Sequence, residues 1–160
     1  YYGSSSNGLW RYMSGAWAQI ASVPVATAAN SENRSILVAV DPTSALIGSG
    51  ATLRRSRVWA SSFGNGLYES TDGGDTFSAV TMPAAFPAGS GYGHWSMVVD
   101  NSGELFIAFN TGANDNLYRR SGGAWTHVSS IGSSRMVRSL AFDPKNANRF
   151  VALGSGSAPM

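Results

Sequence analysis

Several common sources of binding and stability are missing from this chain. Its 160 residues include no cysteine, so neither disulfides nor cysteine-based metal sites are available. Charged residues make up only 12% of the sequence, where about a quarter is usual, and ten arginines accompany a single lysine. The net charge of +2 is too small to indicate nucleic-acid binding. The two histidines, His94 and His127, lie far apart without an acidic cluster, so we expect no metal and no cofactor.

Long apolar runs and helical patterns are also missing. No stretch approaches the roughly 18 apolar residues of a membrane helix, so we expect no membrane insertion. No window keeps a helical period, and Gly or Pro interrupts most windows longer than about ten residues. The 43% of hydrophobic residues can nevertheless build a substantial core, which favours a turn-rich β protein. The chain starts at Tyr1 rather than methionine, which leads us to expect a piece of a longer product.

A hairpin pattern occurs three times. In each copy, Leu and an aromatic residue enter a tight turn, and a second aromatic residue follows the turn, with an aliphatic residue three positions later. The copies run from Leu9-Trp10 to Trp17, from Leu67-Tyr68 to Phe77, and from Leu117-Tyr118 to Trp125. The repetition predicts a series of β-hairpins rather than a coincidence of composition.

A second repeated element is an apolar strand that ends at an aspartate. The three copies are residues 36–42, 95–101 and 138–144, and a further apolar run follows each of them. Strand, turn, strand, hairpin and strand thus recur about every 40 to 60 residues, as four-stranded propeller blades require. We predict an all-β chain, a β-propeller arc of about three blades. Its parts are an outer half-blade at 8–20, blades at 35–80 and 95–128, and a partial blade at 138–153.

Such an arc is a fragment, because a propeller closes with about four to eight blades. An open arc leaves unpaired strand edges and uncovered blade faces. We therefore expect missing sequence or another chain to supply the remaining blades. Within the arc, residues 41–53 form an insertion rich in Gly, Ser and Ala, predicted to lie on a loop. Four tryptophans at repeat positions are predicted to pack between blades: Trp10, Trp17, Trp59 and Trp125.

The middle hairpin carries the most specific motif. Its residues 70–77 read Ser-Thr-Asp-Gly-Gly-Asp-Thr-Phe. Asp72 can accept hydrogen bonds from its own turn, Gly74 can adopt positive φ, and Phe77 can fold back onto the blade. The string resembles the Asp-box of sialidase-like β-propellers, and the matching positions are Ser70, Asp72, Gly74, Thr76 and Phe77. The resemblance implies a structural role for these residues, because the box usually lies away from the ligand face.

The order of features from residue 41 to residue 128 resembles glycoside hydrolase family 74, the xyloglucanases. The resemblance is carried by the strings at residues 40–44, 57–60, 65–74, 93–95, 103–109 and 116–118. It implies a seven-bladed propeller of a secreted enzyme that has two tandem propellers and cleaves β-1,4-glucans by inversion, with a separate acid and base. The family's two catalytic aspartates fall in segments that this chain does not match, so no catalytic residue is assigned.

Sugar contacts are predicted at Tyr92, His94 and Trp95, which follow a loop rich in Pro and Gly. Aromatic faces pack on the C–H face of a pyranose ring, and an imidazole can hydrogen-bond hydroxyl groups. The alternative is that Trp95 packs between blades and His94 closes the loop.

Two functions remain open. One is an extracellular, polysaccharide-active segment that binds β-glucan or xyloglucan, and the other is a nonenzymatic Asp-box propeller that serves as an adhesion or assembly scaffold. A sialidase is disfavoured, because Arg54, Arg55 and Arg57 flank one strand instead of converging from separate blades.

Overall fold

The computed structural model describes residues 1–4, 6–27, 36–83, 93–110, 116–128, 136–143 and 145–155. These ranges contain antiparallel β-strands and one short 3-10 helix, but no α-helix. Nowhere in them is there a helix with the length and apolar character to cross a membrane. The chain divides into two compact units, residues 1–93 and residues 94–160.

The first unit begins with a three-stranded antiparallel sheet. Its strands, in spatial order, are β1 (Tyr2–Ser4), β2 (Gly8–Met13) and β3 (Ala16–Ile20). In the β2–β3 hairpin, Leu9 pairs with Ile20 and Tyr12 pairs with Trp17. The repeat pattern did not predict β1, whose three residues are too short and too polar to register as a strand.

The second sheet of this unit has four strands and an excursion. Strand β4 (Ile36–Val40) is followed by two short paired strands, β5 (Leu46–Ile47) and β6 (Arg54–Arg55), with the 3-10 helix Gly50–Thr52 between them. The insertion therefore folds into a small sheet of its own. The chain then adds β7 (Val58–Ser62), β8 (Gly66–Ser70) and β9 (Ser78–Ala79), and the sheet order is β4-β7-β8-β9.

The two larger sheets of the first unit share one hydrophobic core. Alternation along a strand sends every second side chain to the same face, and these faces bury aliphatic residues against each other. The core contains Leu9, Ile20 and Val23 from the first sheet and its linker, and Ile36, Val58, Ala60 and Phe77 from the second.

The second unit contains another four-stranded sheet and a two-stranded one. The former has the order β10 (Gly93–Val99), β11 (Leu105–Asn110), β12 (Leu117–Ser121), β13 (Ala124–His127). The latter pairs β14 (Met136–Asp143) with β15 (Asn146–Ser155). Phe106, Ala108 and Leu117 of the four-stranded sheet form a core with Val137 and Leu140 of the other. The prediction of an all-β chain with four-stranded sheets is confirmed.

Each apolar inner strand ends in a turn that its aspartate organises. A carboxylate oxygen of Asp41 accepts the Thr43 N–H at 2.8 Å, and that of Asp100 accepts the Ser102 N–H at 2.8 Å. Asp143 accepts the Lys145 N–H at 2.9 Å in the same way. The carboxylates thus replace the acceptors that the backbone loses where each strand stops.

Two asparagine side chains form hydrogen bonds with neighbouring segments. The sequence pattern did not predict these bonds. Asn65 donates from Nδ2 to the carbonyl oxygen of Val25 at 2.9 Å, which holds the linker that follows the first sheet. In the second unit, Asn116 donates to the carbonyl oxygen of Val137 at 3.0 Å and accepts the Val137 N–H at 2.8 Å. Because Asn116 is 1% exposed, these two bonds replace water for the first buried backbone groups of β14.

The tryptophans have different environments. Trp59 is 2% exposed and lies in the interior as predicted, whereas Trp10 and Trp125 are half-buried. Trp17 is 54% exposed, so its predicted packing between blades stays a prediction. Trp17 pairs with Tyr12 on the sheet face opposite Leu9 and Ile20, and that face has no cover among the described residues of its unit.

Replacing Asn116 with alanine tests its role in joining the two sheets of the second unit. The Val137 N–H and the Phe109 carbonyl oxygen would lose a buried partner, so we expect a loss of about 2 to 3 kcal/mol in the free energy of unfolding. Asn101→Ala is the matched control, because Asn101 is exposed and its hydrogen bond to the Asp143 carbonyl oxygen is long at 3.3 Å. Chemical denaturation measures both, and equal losses would contradict the role given to Asn116.

Candidate functional site

The Asp-box turn is built from hydrogen bonds within seven residues. The Ser70 hydroxyl donates to Asp72 at 2.7 Å and accepts the Gly74 N–H at 2.8 Å. The Asp72 carboxylate also accepts the Asp75 N–H at 2.9 Å and the Thr76 hydroxyl at 2.6 Å. The Asp72 carboxylate thus accepts hydrogen bonds from residues of its own turn.

The conformation of the turn accounts for the presence of two glycines, and the residue that follows the turn is a buried aromatic one. Gly73 and Gly74 have φ values of +75° and +83°, which side chains rarely adopt. A Cβ atom on Gly74 would also collide with the Tyr1 hydroxyl. Phe77 is 7% exposed and packs in the core that the two sheets share, and its N–H donates to the Ser22 hydroxyl at 3.0 Å.

The Asp72 carboxyl is held in its ionised form. Burial alone raises its pKa, but hydrogen bonds from the Thr76 hydroxyl and N–H, the Ser70 hydroxyl and the Asp75 N–H outweigh burial and lower the pKa from 3.8 to about 2. A carboxyl with so low a pKa is a poor proton donor near neutral pH, so Asp72 is unsuited to general acid catalysis.

A cluster of charges joins this turn to the first sheet. The Asp75 carboxylate forms ion pairs with Arg11 on β2 and with Arg54 on β6, each at 2.5 Å. The Gly73 carbonyl oxygen accepts bonds from the Tyr1 hydroxyl at 2.7 Å, Arg11 Nη1 at 3.2 Å and Arg54 Nε at 3.1 Å. The Asp-box turn is therefore a point of attachment between the two sheets of its unit.

The predicted sugar contacts have unequal exposure. Tyr92 lies outside the described residues. His94 is 6% exposed, with its ring 5.1 Å from that of Phe109, and burial lowers its pKa to about 3, so it is neutral near pH 7. Trp95 is half-buried against the core of its unit, and the Arg138 guanidinium lies 4.5 Å from the centre of its ring. Neighbours on a strand face opposite sides, so His94 and Trp95 do not form one surface. Their contact with sugar stays a prediction.

The carboxylates of the described ranges are all engaged. Of the nine acidic residues, Glu32 and Asp115 lie outside these ranges. Glu69 pairs with Arg57 at 3.2 Å and Glu104 pairs with Arg119 at 3.4 Å, and the five aspartates hold turns or pair with arginine as described above. Within these ranges, no three histidine, aspartate or glutamate side chains converge as metal ligands do.

An exposed aromatic surface covers one side of the first sheet. Its members are Tyr2, Trp10, Tyr12 and Trp17, and we call it the aromatic face. The Trp17 ring lies 6.5 Å from that of Tyr2 and 5.3 Å from that of Tyr12, and the rings are inclined by 77° and 51°. Tyr2, Tyr12 and Trp17 are each more than half exposed. Their inclined rings resemble packing partners rather than a flat platform for a sugar chain.

Substitution of Asp72 by asparagine gives a prediction about acid stability. The folded state favours the ionised carboxyl, so Asp72 stabilises the fold above pH 3.8 and loses this effect as the pH falls towards about 2. We expect Asp72→Asn to be less stable near pH 7 but to lose less stability between pH 4 and pH 2. Thermal unfolding across this range measures the difference, and parallel curves for both proteins would contradict the assignment.

Comparisons with known proteins support the fold through structure rather than sequence. No protein-family model matches the chain, and no curated protein matches it significantly. A glycoside hydrolase family 74 enzyme from Niastella koreensis superposes with a TM-score of 0.68 and 25% identity over 94% of this chain. The chain spans 22% of the length of that enzyme's chain. A family 74 xyloglucanase from Xanthomonas campestris matches with a TM-score of 0.47 and 20% identity, over 96% of this chain and 33% of its own. The fold is thus that of β-propeller blades, and the chain is similar in structure to glycoside hydrolase family 74.

Proposed function

We propose that this chain is a segment of a secreted, polysaccharide-active propeller that acts on a β-glucan such as xyloglucan. The observation that carries the proposal is the superposition of 94% of the chain on the Niastella koreensis family 74 enzyme. The Asp-box hairpin and the blade-like sheets agree with it. The chain contributes scaffold and a sugar contact at the half-buried Trp95 on β10, since His94 is only 6% exposed and Tyr92 lies outside the described residues.

The scaffold role is supported by the state of the carboxylates. Inverting hydrolysis needs two carboxyl groups about 6.5 to 9.5 Å apart, with room between them for a water and the bond to be cleaved. Each carboxylate of the described ranges instead holds a turn or an arginine. The acid and the base of such an enzyme would therefore come from residues outside the described ranges or from the rest of the enzyme.

Binding of xyloglucan oligosaccharides tests the proposal. We expect the polypeptide that carries this chain to bind them, and Trp95→Ala to weaken binding about tenfold, since loss of an aromatic contact costs about 1 to 2 kcal/mol. Trp17→Ala is the matched control, because Trp17 lies on another sheet. Isothermal titration calorimetry provides the affinities, and unfolding curves establish that both variants are folded.

Two outcomes would count against this function. If no xyloglucan oligosaccharide binds, the nonenzymatic scaffold becomes the better description. If Trp95→Ala and Trp17→Ala bind as well as the unchanged protein, the sugar surface lies elsewhere.

The aromatic face is proposed to be the side on which a further blade of the ring packs. Trp10 occupies the same place in its hairpin as Tyr68 in the next one. Tyr68 packs against the core that the first sheet covers with Leu9 and Ile20. Because the repeat places Trp10 where Tyr68 lies in the next hairpin, we expect a further blade to cover Trp10 and its neighbours with aliphatic side chains.

An uncovered apolar face predicts association of the isolated chain. We expect sedimentation velocity to show concentration-dependent self-association, and the double variant Tyr2→Glu/Trp17→Glu to remain monomeric. Leu46→Glu is the control, because Leu46 is 56% exposed on the excursion and outside the aromatic face. A chain that is monomeric without any substitution would contradict the proposed blade contact.

A further inference from the structure

A cavity of about 630 Å³ lies in the first unit, between the β2–β3 hairpin and the excursion that follows β4. Its walls include Tyr1, Arg11 and Met13 on one side and Leu53 and Arg54 on the other. Ligand sites for molecules larger than simple ions commonly enclose about 300 to 1,000 Å³. The residues that line the cavity belong to the first unit, whereas His94 and Trp95 belong to the second.

The charges at this cavity are unbalanced. Arg11 and Arg54 line it, and no carboxylate is among the described residues that do so. The Asp75 carboxylate, which is not among the lining residues, pairs with both guanidinium groups, and these three groups together carry one positive charge in excess. A ligand that carries a negative charge is therefore favoured over a neutral one.

The two arginines differ in how far their hydrogen bonds are satisfied. Arg54 donates to the carbonyl oxygens of Thr52, Asp72 and Gly73 in addition to its ion pair. Arg11 donates through Nη1, whereas its buried Nε finds no acceptor among the described residues. The Nε atom is closed to solvent, so a ligand in the cavity would meet Arg11 only through the 12% of its side chain that stays exposed.

The ligand chemistry follows from the groups already present. Asp75 demonstrates that a carboxylate fits against these guanidinium groups, and arginine binds carboxylates through two parallel N–H groups. Leu53 is 54% exposed and Tyr1 is 41% exposed at the walls, and such surfaces pack on the C–H faces of pyranose rings. We propose that this cavity binds a carboxylate-bearing saccharide, with the carboxylate on Arg11 and a sugar ring against Leu53 and Tyr1.

This site goes beyond the proposed function, which concerns a neutral glucan, and it does not depend on Trp95. Its opening lies beside the Asp-box turn, since Arg54 contacts both Asp72 and Gly73. An acidic saccharide bound there would tether the protein to a charged polymer through residues of the first unit.

Titration calorimetry with trigalacturonate tests the proposal. We expect saturable binding that is at least about tenfold tighter than that of a neutral xyloglucan oligosaccharide, since a charged hydrogen-bonded pair contributes about 1.5 to 3 kcal/mol. Acetate provides the second comparison. If acetate competes as well as the trisaccharide binds, the site recognises a free carboxylate and the saccharide part of the proposal is wrong.

Variants of the charged cluster separate binding from stability. Arg11→Lys keeps the charge but loses the two-pronged geometry, and we expect it to weaken trigalacturonate binding about tenfold. Asp75→Asn removes the competing carboxylate, so we expect tighter binding together with a less stable fold. A purely structural role for the cluster predicts the loss of stability without the gain in affinity, and that result would overturn the proposal.

A rim variant avoids disturbing the cluster. Leu53→Glu places a negative charge at the wall of the cavity, and we expect it to abolish trigalacturonate binding. Leu46→Glu adds the same charge on the same excursion, but outside the residues that line the cavity, and we expect little effect. Equal effects of these two variants, or the absence of trigalacturonate binding to the unchanged chain, would contradict the site.

Discussion

The structure depends on the packing of small sheets against each other by their faces. A sheet of two to four strands of about five residues has too little surface to bury its own apolar side chains. In the first unit, Leu9 and Ile20 are buried only because Val58, Ala60 and their neighbours cover them. Phe106 and Leu117 depend in the same way on Val137 and Leu140 in the second unit. The turns and the polar side chains serve this packing, because they fix where each strand stops and which face it presents.

The buried aspartates of the described ranges stabilise turns through hydrogen bonds. Asp41 and Asp100 are almost fully buried at the ends of inner strands, and Asp72 is surrounded by donors of its own turn. The hydrogen bonds to Asp72 lower its pKa to about 2, which suits a turn and does not suit a proton donor. The chain is thus similar in structure to a family 74 glycoside hydrolase, while its described acids hold turns or pair with arginines.

The sequence predicted the features that arise from neighbouring residues. The Asp-box could be interpreted because its hydrogen bonds join residues 70–77, and the inner strands because their apolar runs end at aspartates. Contacts between distant residues were not predictable in this way. The pair of Arg11 with Asp75 joins residues 64 positions apart, and the bonds from Asn116 to Val137 depend on how β14 packs. Trp17 and Phe77 hold equivalent places in their hairpins, yet Trp17 is exposed and Phe77 is buried. Phe77 packs against the first sheet, whereas no described residue of the first unit covers the side of the first sheet that carries Trp17.

The cavity occurs where the repeat is broken. Arg11, Glu69 and Arg119 occupy the same position after the Leu-aromatic pair of their hairpins. Glu69 pairs with Arg57, and Arg119 pairs with Glu104. In both cases the partner directly precedes the neighbouring strand of the same sheet. Arg11 pairs instead with Asp75 of the next sheet, and the excursion after β4 brings Arg54 to the same carboxylate. The first hairpin is also two residues shorter than the Asp-box hairpin and has no aspartate in its turn, so it neither fills the space beside the excursion nor balances its charge. A departure from the repeat at two adjacent places thus creates a charged opening that a regular blade would not have.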